Sequence, residues 1–482
     1  MLFRQIKDAK LAQYAYLIGC QATGEAIVID PERDIDRYLQ VAEAEDLNIA
    51  AVAETHIHAD FLSGARELAH RLGARLYLSD EGGEEWRYEW VKLGDRDAVL
   101  LKDGDTFRIG KIEFKALHTP GHTPEHLSFV VTDRGGGAGE PMGIATGDFV
   151  FVGDMGRPDL LETAAKVEGA MKPSALRLYN SARRFLELPE FLQIWPAHGA
   201  GSACGKALGA VPMTTAGYEM RFSPAFEKAR EGEDAFVDFI LEGQPEPPLY
   251  FARMKRDNKN GVPLLSDLPR PRSLTARELG KVAKRKDALI VDARTSRSDF
   301  MARHIPGSLY APLRIFNTAV GSVVEDETTP LYLIIDEDRL EEAVRDLVRI
   351  GYDNLPGFAD PSTLERYFQG GGQADAIEEV DISALQELRL RADSLVLDVR
   401  TGAEFAAGHV PSAHNASYTR LPEYRKDIPA DRTLLVHCAT GARASVAASY
   451  LARLEHRVIY VNGRFESYRE KTTDQQDRTV SA

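Results

Sequence analysis

The chain is poor in cysteine: only Cys20, Cys204 and Cys438 occur in 482 residues, odd in number and far apart. That excludes a disulfide scaffold and makes a reducing, cytoplasmic setting the expectation. Long apolar runs are also missing, since no stretch approaches the ~20 continuous apolar residues of a membrane span. The opening residues, Met1-Leu2-Phe3-Arg4-Gln5-Ile6-Lys7-Asp8, lack the apolar core of a secretory signal. Positive charge is in deficit, with 59 Lys and Arg against 74 Asp and Glu, and no basic cluster offsets the net −15. Such a surface repels nucleic acid. Glycine and proline, 39 and 24 residues, are too few for a disordered or collagen-like chain. What is present is ordinary globular composition, 44% hydrophobic and 28% charged. The length suits about three domains at ~150 residues each.

Punctuation along the chain gives the same number. Gln244-Pro245-Glu246-Pro247-Pro248, the polar run 255–261 and Leu268-Pro269-Arg270-Pro271 read as a semi-rigid linker. Gly370-Gly371-Gly372-Gln373 is a second joint. The two shorter segments repeat one another. Leu289-Ile290-Val291-Asp292-Ala293-Arg294 precedes His304-Ile305-Pro306, and Leu395-Val396-Leu397-Asp398-Val399-Arg400 precedes His409-Val410-Pro411. Each is a β-branched strand ending in Asp-x-Arg, then a helical segment, then His-x-Pro, which predicts duplicated parallel α/β domains. The expected domains are residues 1–262, 273–370 and 376–482. In the first, strands at 26–30 and 49–53 alternate with helices at 34–45 and 65–72.

Thr55-His56-Ile57-His58-Ala59-Asp60 sets three potential metal ligands in the loop after a buried strand, where sites gather. His118-Thr119-Pro120-Gly121-His122, Thr146-Gly147-Asp148 and Trp195-Pro196-Ala197-His198-Gly199 follow in that order. These motifs resemble the metallo-β-lactamase fold, which implies an αβ/βα sandwich over about the first 260 residues, with metal ligands in loops between its sheets. Hydrolases of that family usually read His-x-His-x-Asp-His, but here Phe61 follows Asp60. A phenyl ring cannot ligate, so a second metal site is expected to be lost or weakened. Asp60 and His198 then hydrogen-bond around the site rather than bind in it. His56, His122 and Asp148 remain for the first site, with His58 open as ligand or neighbour. Two imidazoles and one carboxylate with open positions suit one non-haem Fe(II) per chain.

The substitution makes this segment similar to the persulfide dioxygenases, a mononuclear-iron branch of the fold. That resemblance implies oxidation of a thiol persulfide with O₂ to thiol and sulfite. Asp154-Met155-Gly156-Arg157-Pro158-Asp159 matches the branch, and the resemblance implies that Arg157 helps place an anionic substrate. The segment 199–206 resembles members fused to sulfurtransferase domains. Cys204, in that segment, is either beside the iron or a packed thiol. Tyr218 is a further pocket candidate, and Cys20 reads as core.

His437-Cys438-Ala439-Thr440-Gly441-Ala442-Arg443 follows an apolar strand and precedes a helix. A cysteine there faces backbone N–H groups and the positive end of the helix dipole, which stabilise a thiolate or persulfide anion. With Asp398-Val399-Arg400 and Gly408-His409-Val410-Pro411, residues 376–482 resemble a rhodanese domain, whose loop carries sulfur as a cysteine persulfide. Related phosphatases need one more residue between Cys and Arg, so that reading fails. The other repeat resembles a degenerate copy. Its strand 331–335 runs into Asp336-Glu337-Asp338-Arg339, with no cysteine.

The expected protein is thus α/β throughout: a cytoplasmic persulfide dioxygenase fused to an inactive and an active rhodanese domain. Its partners would be a glutathione, coenzyme A, bacillithiol or cysteine persulfide, O₂, and sulfite or thiosulfate, with no nucleic acid or membrane. By likeness to fused enzymes of this fold it is expected to be a homo-oligomer. The alternatives are a glyoxalase-II-like zinc thioester hydrolase fused to a sulfurtransferase, and a non-catalytic sulfur-sensing scaffold.

Overall fold

The computed structural model describes residues 1–93, 97–164 and 167–468, and the chain divides into two compact units, Met1–Asp267 and Leu268–Ala482. The end of the third expected domain, 469–482, lies outside the described residues. Among the described residues no helix is long and apolar enough to cross a membrane.

The first unit is the expected αβ/βα sandwich. One six-stranded sheet runs Leu2–Asp8, Gln13–Cys20, Glu25–Ile29, Asn48–Ala53, Arg75–Ser79, Ala98–Leu101. The other runs Thr214–Thr215, Gln193–Pro196, Gly143–Gly147, Leu127–Asp133, Ile112–His118, Thr106–Ile109. The strand Gln13–Cys20 shows why the sheets stack. Its residues alternate between two cores: Tyr14, Tyr16, Ile18 and Cys20 face Phe114, Phe129 and Trp195 of the opposite sheet, while Ala15 and Leu17 face the outer helices. A strand covered on both sides is apolar throughout rather than alternating. Outside the second sheet, Ala175, Leu178, Ala182 and Phe185 form the buried stripe of the helix Met171–Phe185, with the three- and four-residue spacing of an amphipathic helix. Burying each large side chain contributes about 1.5–3 kcal/mol.

The second unit holds two five-stranded parallel sheets. The first is ordered Arg272–Ser273, Gly357–Ala359, Leu331–Ile334, Leu289–Asp292, Leu309–Tyr310. The second is ordered Glu378–Asp381, Arg457–Asn462, Thr433–His437, Ser394–Asp398, His414–Asn415. The two orders are the same when strands are counted along the chain, so the sequence repeat is a repeat of topology. Each Asp-x-Arg closes on itself. Arg294 Nη2 lies 2.8 Å from Asp292 and Arg400 Nη2 lies 2.6 Å from Asp398, both aspartates fully buried. The two halves meet where the Tyr310 amide donates to Ser449 Oγ of the helix Ala442–Arg453 at 2.9 Å.

Candidate metal centre and cysteine loop

The strand Asn48–Ala53 delivers the loop 54–60 to the gap between the sheets. Asp30, at the end of the neighbouring strand, accepts from the Thr55 amide at 2.7 Å and from Thr55 Oγ1 at 2.8 Å. The Thr55 hydroxyl has then given away its only proton, so its contact with His56 Nδ1 at 2.9 Å makes that nitrogen the donor. His56 Nε2 is left as a bare lone pair, buried and unpartnered. His122 repeats the logic. Its Nδ1 donates to the Arg157 carbonyl at 3.1 Å, leaving Nε2 free 3.4 Å from Asp148 Oδ2. Burial pushes His56 well below the ordinary histidine range and His122 down to about 3, so both rings are neutral. The Asp148 carboxylate is also buried with both oxygens unpartnered, and burial pushes its pKa up.

Buried acceptor atoms of His56, His122 and Asp148 therefore converge within 4.8 Å of one another. A cation would satisfy such a set, and two neutral imidazoles with a carboxylate are the donors a non-haem iron accepts.

His126 holds this arrangement and was not singled out from sequence. Its ring stacks on His56 at 5.1 Å, its Nε2 accepts from the Asp148 amide at 3.0 Å, and its Nδ1 meets Thr119 Oγ1 at 2.8 Å. The missed signal is its own spacing, four residues after His122. Asn258 is a second unread support. Its Nδ2 donates to the carbonyls of His58 and Phe61 at 2.8 and 2.7 Å, pinning the loop from a helix nearly 200 residues away in sequence.

The remaining sequence candidates divide. His58 turns away from the convergent set. Its Nε2 lies 2.9 Å from Glu54 and 3.2 Å from Asp30, and its ring packs on Phe61 at 4.4 Å. Asp60 and His198 stand beside the site, with His198 Nε2 3.2 Å from Asp60 and 3.4 Å from Asp148. Cys204 is buried with them, its sulfur and the Asp60 and His198 acceptors within 4.8 Å of one another. Arg157 meets His122 through its backbone carbonyl, while its side-chain charge is paired elsewhere. It is 1% exposed, pairs with both oxygens of Asp159 at 2.7 and 2.6 Å, and donates to the Ala203 carbonyl. Tyr218 is corrected: it is 56% exposed against the Phe222 ring and is no part of the buried cluster. Its place near the start of the surface helix Ala216–Phe222 turns it outward.

A cation that sequence reasoning missed lies in a cleft that His122 also lines. Lys255 lines a narrow cleft with Ile57, Ala59, Leu160, Phe251 and His122. Burial lowers its pKa, and its Nζ sits 3.7 Å over the Trp86 ring. Glu125, raised by burial, accepts from the Ile57 amide at 2.8 Å.

In the second unit, Cys438 lies between the strand Thr433–His437 and the helix Ala442–Arg453, 1% exposed. Its sulfur accepts from the amides of Gly441 at 3.1 Å and Ala444 at 3.4 Å. The turn needs glycine, since Gly441 has φ +91°. Arg443 is held in a fork by Glu404 at 2.6 and 2.7 Å. Although burial opposes it, that arginine holds the Glu404 carboxyl down at about 2. In the cysteine-less half, the strand Leu331–Ile334 leads instead to the short turn Glu337–Arg339.

Comparison with known proteins agrees with this geometry. Residues 9–198 match the metallo-beta-lactamase superfamily. A crystal structure of a metallo-beta-lactamase from Staphylococcus aureus subsp. aureus COL is 39% identical with TM-score 0.66, covering 75% of this chain and 99% of that one. The chain belongs to the metallo-beta-lactamase superfamily. A probable metallo-hydrolase from Burkholderia pseudomallei is 31% identical over 214 residues, 40% of this chain and 70% of that protein. The human persulfide dioxygenase ETHE1 is 29% identical over 202 residues, 41% of this chain and 68% of that protein. Residues 382–471 match the rhodanese-like domain, so a rhodanese domain follows the metallo-beta-lactamase fold.

Proposed function

We propose that the first unit oxidises a low-molecular-weight thiol persulfide with O₂, and that Cys438 couples the product to sulfur transfer. The observation that carries the first half is the convergence of buried acceptors from His56, His122 and Asp148. The persulfide dioxygenase relatives and the rhodanese-like match support sulfur metabolism as its setting. Phe61 in place of a second-metal histidine weighs against the hydrolytic alternative. The overall reaction balances as RSSH + O₂ + H₂O → RSH + SO₃²⁻ + 2H⁺.

Fe(II) held by His56, His122 and Asp148 would supply O₂ activation. The rest falls to the chain. The Thr55 hydroxyl and the Arg157 carbonyl fix which nitrogen each histidine presents, and His126 fixes the Asp148 loop. Ile57, Leu160 and Phe251 exclude water from the cleft, while Lys255 faces the anionic end of the substrate there. Arg157, paired with Asp159, acts through the His122 ring it positions. At Cys438, a persulfide on the sulfur gives its outer atom to sulfite: Cys438–S–S⁻ + SO₃²⁻ → Cys438–S⁻ + S₂O₃²⁻. The Gly441 and Ala444 amides stabilise the thiolate that leaves.

The test is metal analysis with an oxygen electrode over glutathione, coenzyme A, bacillithiol and cysteine persulfides. Iron with persulfide-dependent O₂ uptake is expected; zinc without it overturns the dioxygenase half. Conversion of persulfide to thiosulfate that survives Cys438→Ser overturns the coupling.

A further inference from the structure

We propose that the cysteine-less half of the second unit completes the Cys438 site by supplying Arg297 as the anchor for a small sulfur oxyanion, thiosulfate or sulfite. This rests on the sulfur-transfer reading of Cys438 and adds to it a residue from the other repeat. Arg443, the cation within the loop, is committed to both oxygens of Glu404. Arg400 is bound by Asp398 and lies over the Phe465 ring. Each of these guanidiniums already has a carboxylate offsetting its charge.

Arg297 differs. It is half-buried at the first position of the helix Arg297–Ala302, and among the described residues it makes no ion pair and no side-chain hydrogen bond. A carbon placed on Gly441 Cα would lie 3.1 Å from Arg297 Cζ and 2.6 Å from both Tyr460 Oη and Asn462 Oδ1. The guanidinium thus lies against the glycine whose amide donates to Cys438 Sγ. The neighbouring acidic group, Glu379, accepts at its Oε1 from Ser298 Oγ at 2.9 Å and Asn462 Nδ2 at 2.6 Å. At its own helix start an arginine gains nothing, because that end of a helix disfavours positive charge. An unpaired planar donor beside a sulfur nucleophile matches an oxyanion with oxygens to spare for a fork.

The step it serves is balanced: Cys438–S⁻ attacks the outer sulfur of thiosulfate, the S–S bond breaks, and sulfite leaves with the electron pair. Arg297 would hold the departing SO₃ group; in the reverse direction it would hold incoming sulfite.

The experiment measures thiosulfate-to-cyanide sulfur transfer in the full chain for wild type, Arg297→Gln, Arg297→Lys and Cys438→Ser. The expected result is a KM for thiosulfate raised about 10-fold or more in Arg297→Gln with kcat changed less than about threefold, and partial recovery in Arg297→Lys. An intact guanidinium–oxyanion contact of this kind accounts for that size of loss. Thermal unfolding within about 2 °C of wild type shows that packing is not the cause. Unchanged KM in Arg297→Gln, with transfer that Cys438→Ser abolishes, overturns the role of Arg297 alone. Transfer that Cys438→Ser does not abolish overturns the cysteine reading beneath it, and the proposal with it.

Discussion

Gly156 offers a test of the metal centre that touches no ligand. A β-carbon built on it would sit 1.7 Å from the Asp148 carbonyl oxygen and 3.2 Å from His122 Cβ, where ordinary contact begins at 3.4 Å. In Gly156→Ala the two segments must part by about 1.7 Å, and the segment that moves carries Asp148. Gly156 also donates its amide to the Phe149 carbonyl at 3.2 Å, so the strain runs through the turn that aims the carboxylate. Overpacking on this scale costs about 1–3 kcal/mol of stability. A displacement of ~1 Å at a catalytic group costs about 100-fold in rate. The assay is iron per chain after reconstitution, turnover by O₂ uptake and thermal unfolding, with Gly139→Ala as control because nothing lies within 4 Å of its new carbon. The expected outcome is a folded protein with reduced metal occupancy and turnover down about 100-fold. Wild-type occupancy with turnover within threefold would refute the reasoning, since the loop would then have absorbed the methyl without moving Asp148.

His126→Phe keeps a ring against His56 but leaves the Asp148 amide without its acceptor, so metal affinity should fall about 10- to 100-fold, measured by competition with a chelator. Lys255→Gln removes the cation in the cleft and should raise the KM for an anionic persulfide about 10-fold while leaving iron content at the wild-type level. The stability of the second unit should fall in mild acid because burial holds His437 down at about 4. Between that value and the ordinary ~6.5, the unfolded chain takes up a proton that the folded one refuses, so stability declines as pH drops through this window. The loss from this group is about 2 kcal/mol at pH 5, checked by denaturant unfolding at pH 7 and 5, and it should vanish in a folded His437→Gln variant.

Much of the site was legible because its chemistry needs particular residue types in loops. His56, His122 and Asp148 each follow a strand and meet in one buried group, and Cys438 sits between strand and helix. The supports were harder to read. His126 looks like one more polar residue at a strand entrance until its ring is seen against His56. Lys255 and Asn258 belong to the helix Phe251–Asn260, which the sequence presents as part of a polar linker; packing of Phe251 and Met254 folds it back onto the first unit. Arg157 carried its own warning. Asp159, two residues on, has the reach to take the whole guanidinium, and it does so.

The duplicated sheets show what the two halves share and where they differ. The Asp-x-Arg pairs survive in both halves because each ties a strand end to the loop beyond it: Arg294 donates to the Arg303 carbonyl and Arg400 to that of Gly408. Removing one partner would strand a buried charge at a cost of about 3–5 kcal/mol. The loop after the central strand carries no such pair, and there the halves differ: the Cys438 turn in one, Asp336 and Glu337 in the other. What the cysteine-less half could not give up without consequence is its packing on the other, where Tyr310 meets Ser449 and Arg453 donates to the Gly307 carbonyl. That contact fixes the edge from which Arg297 faces the loop of Cys438. In the proposed scheme, the half without a cysteine thereby serves the Cys438 loop of its neighbour.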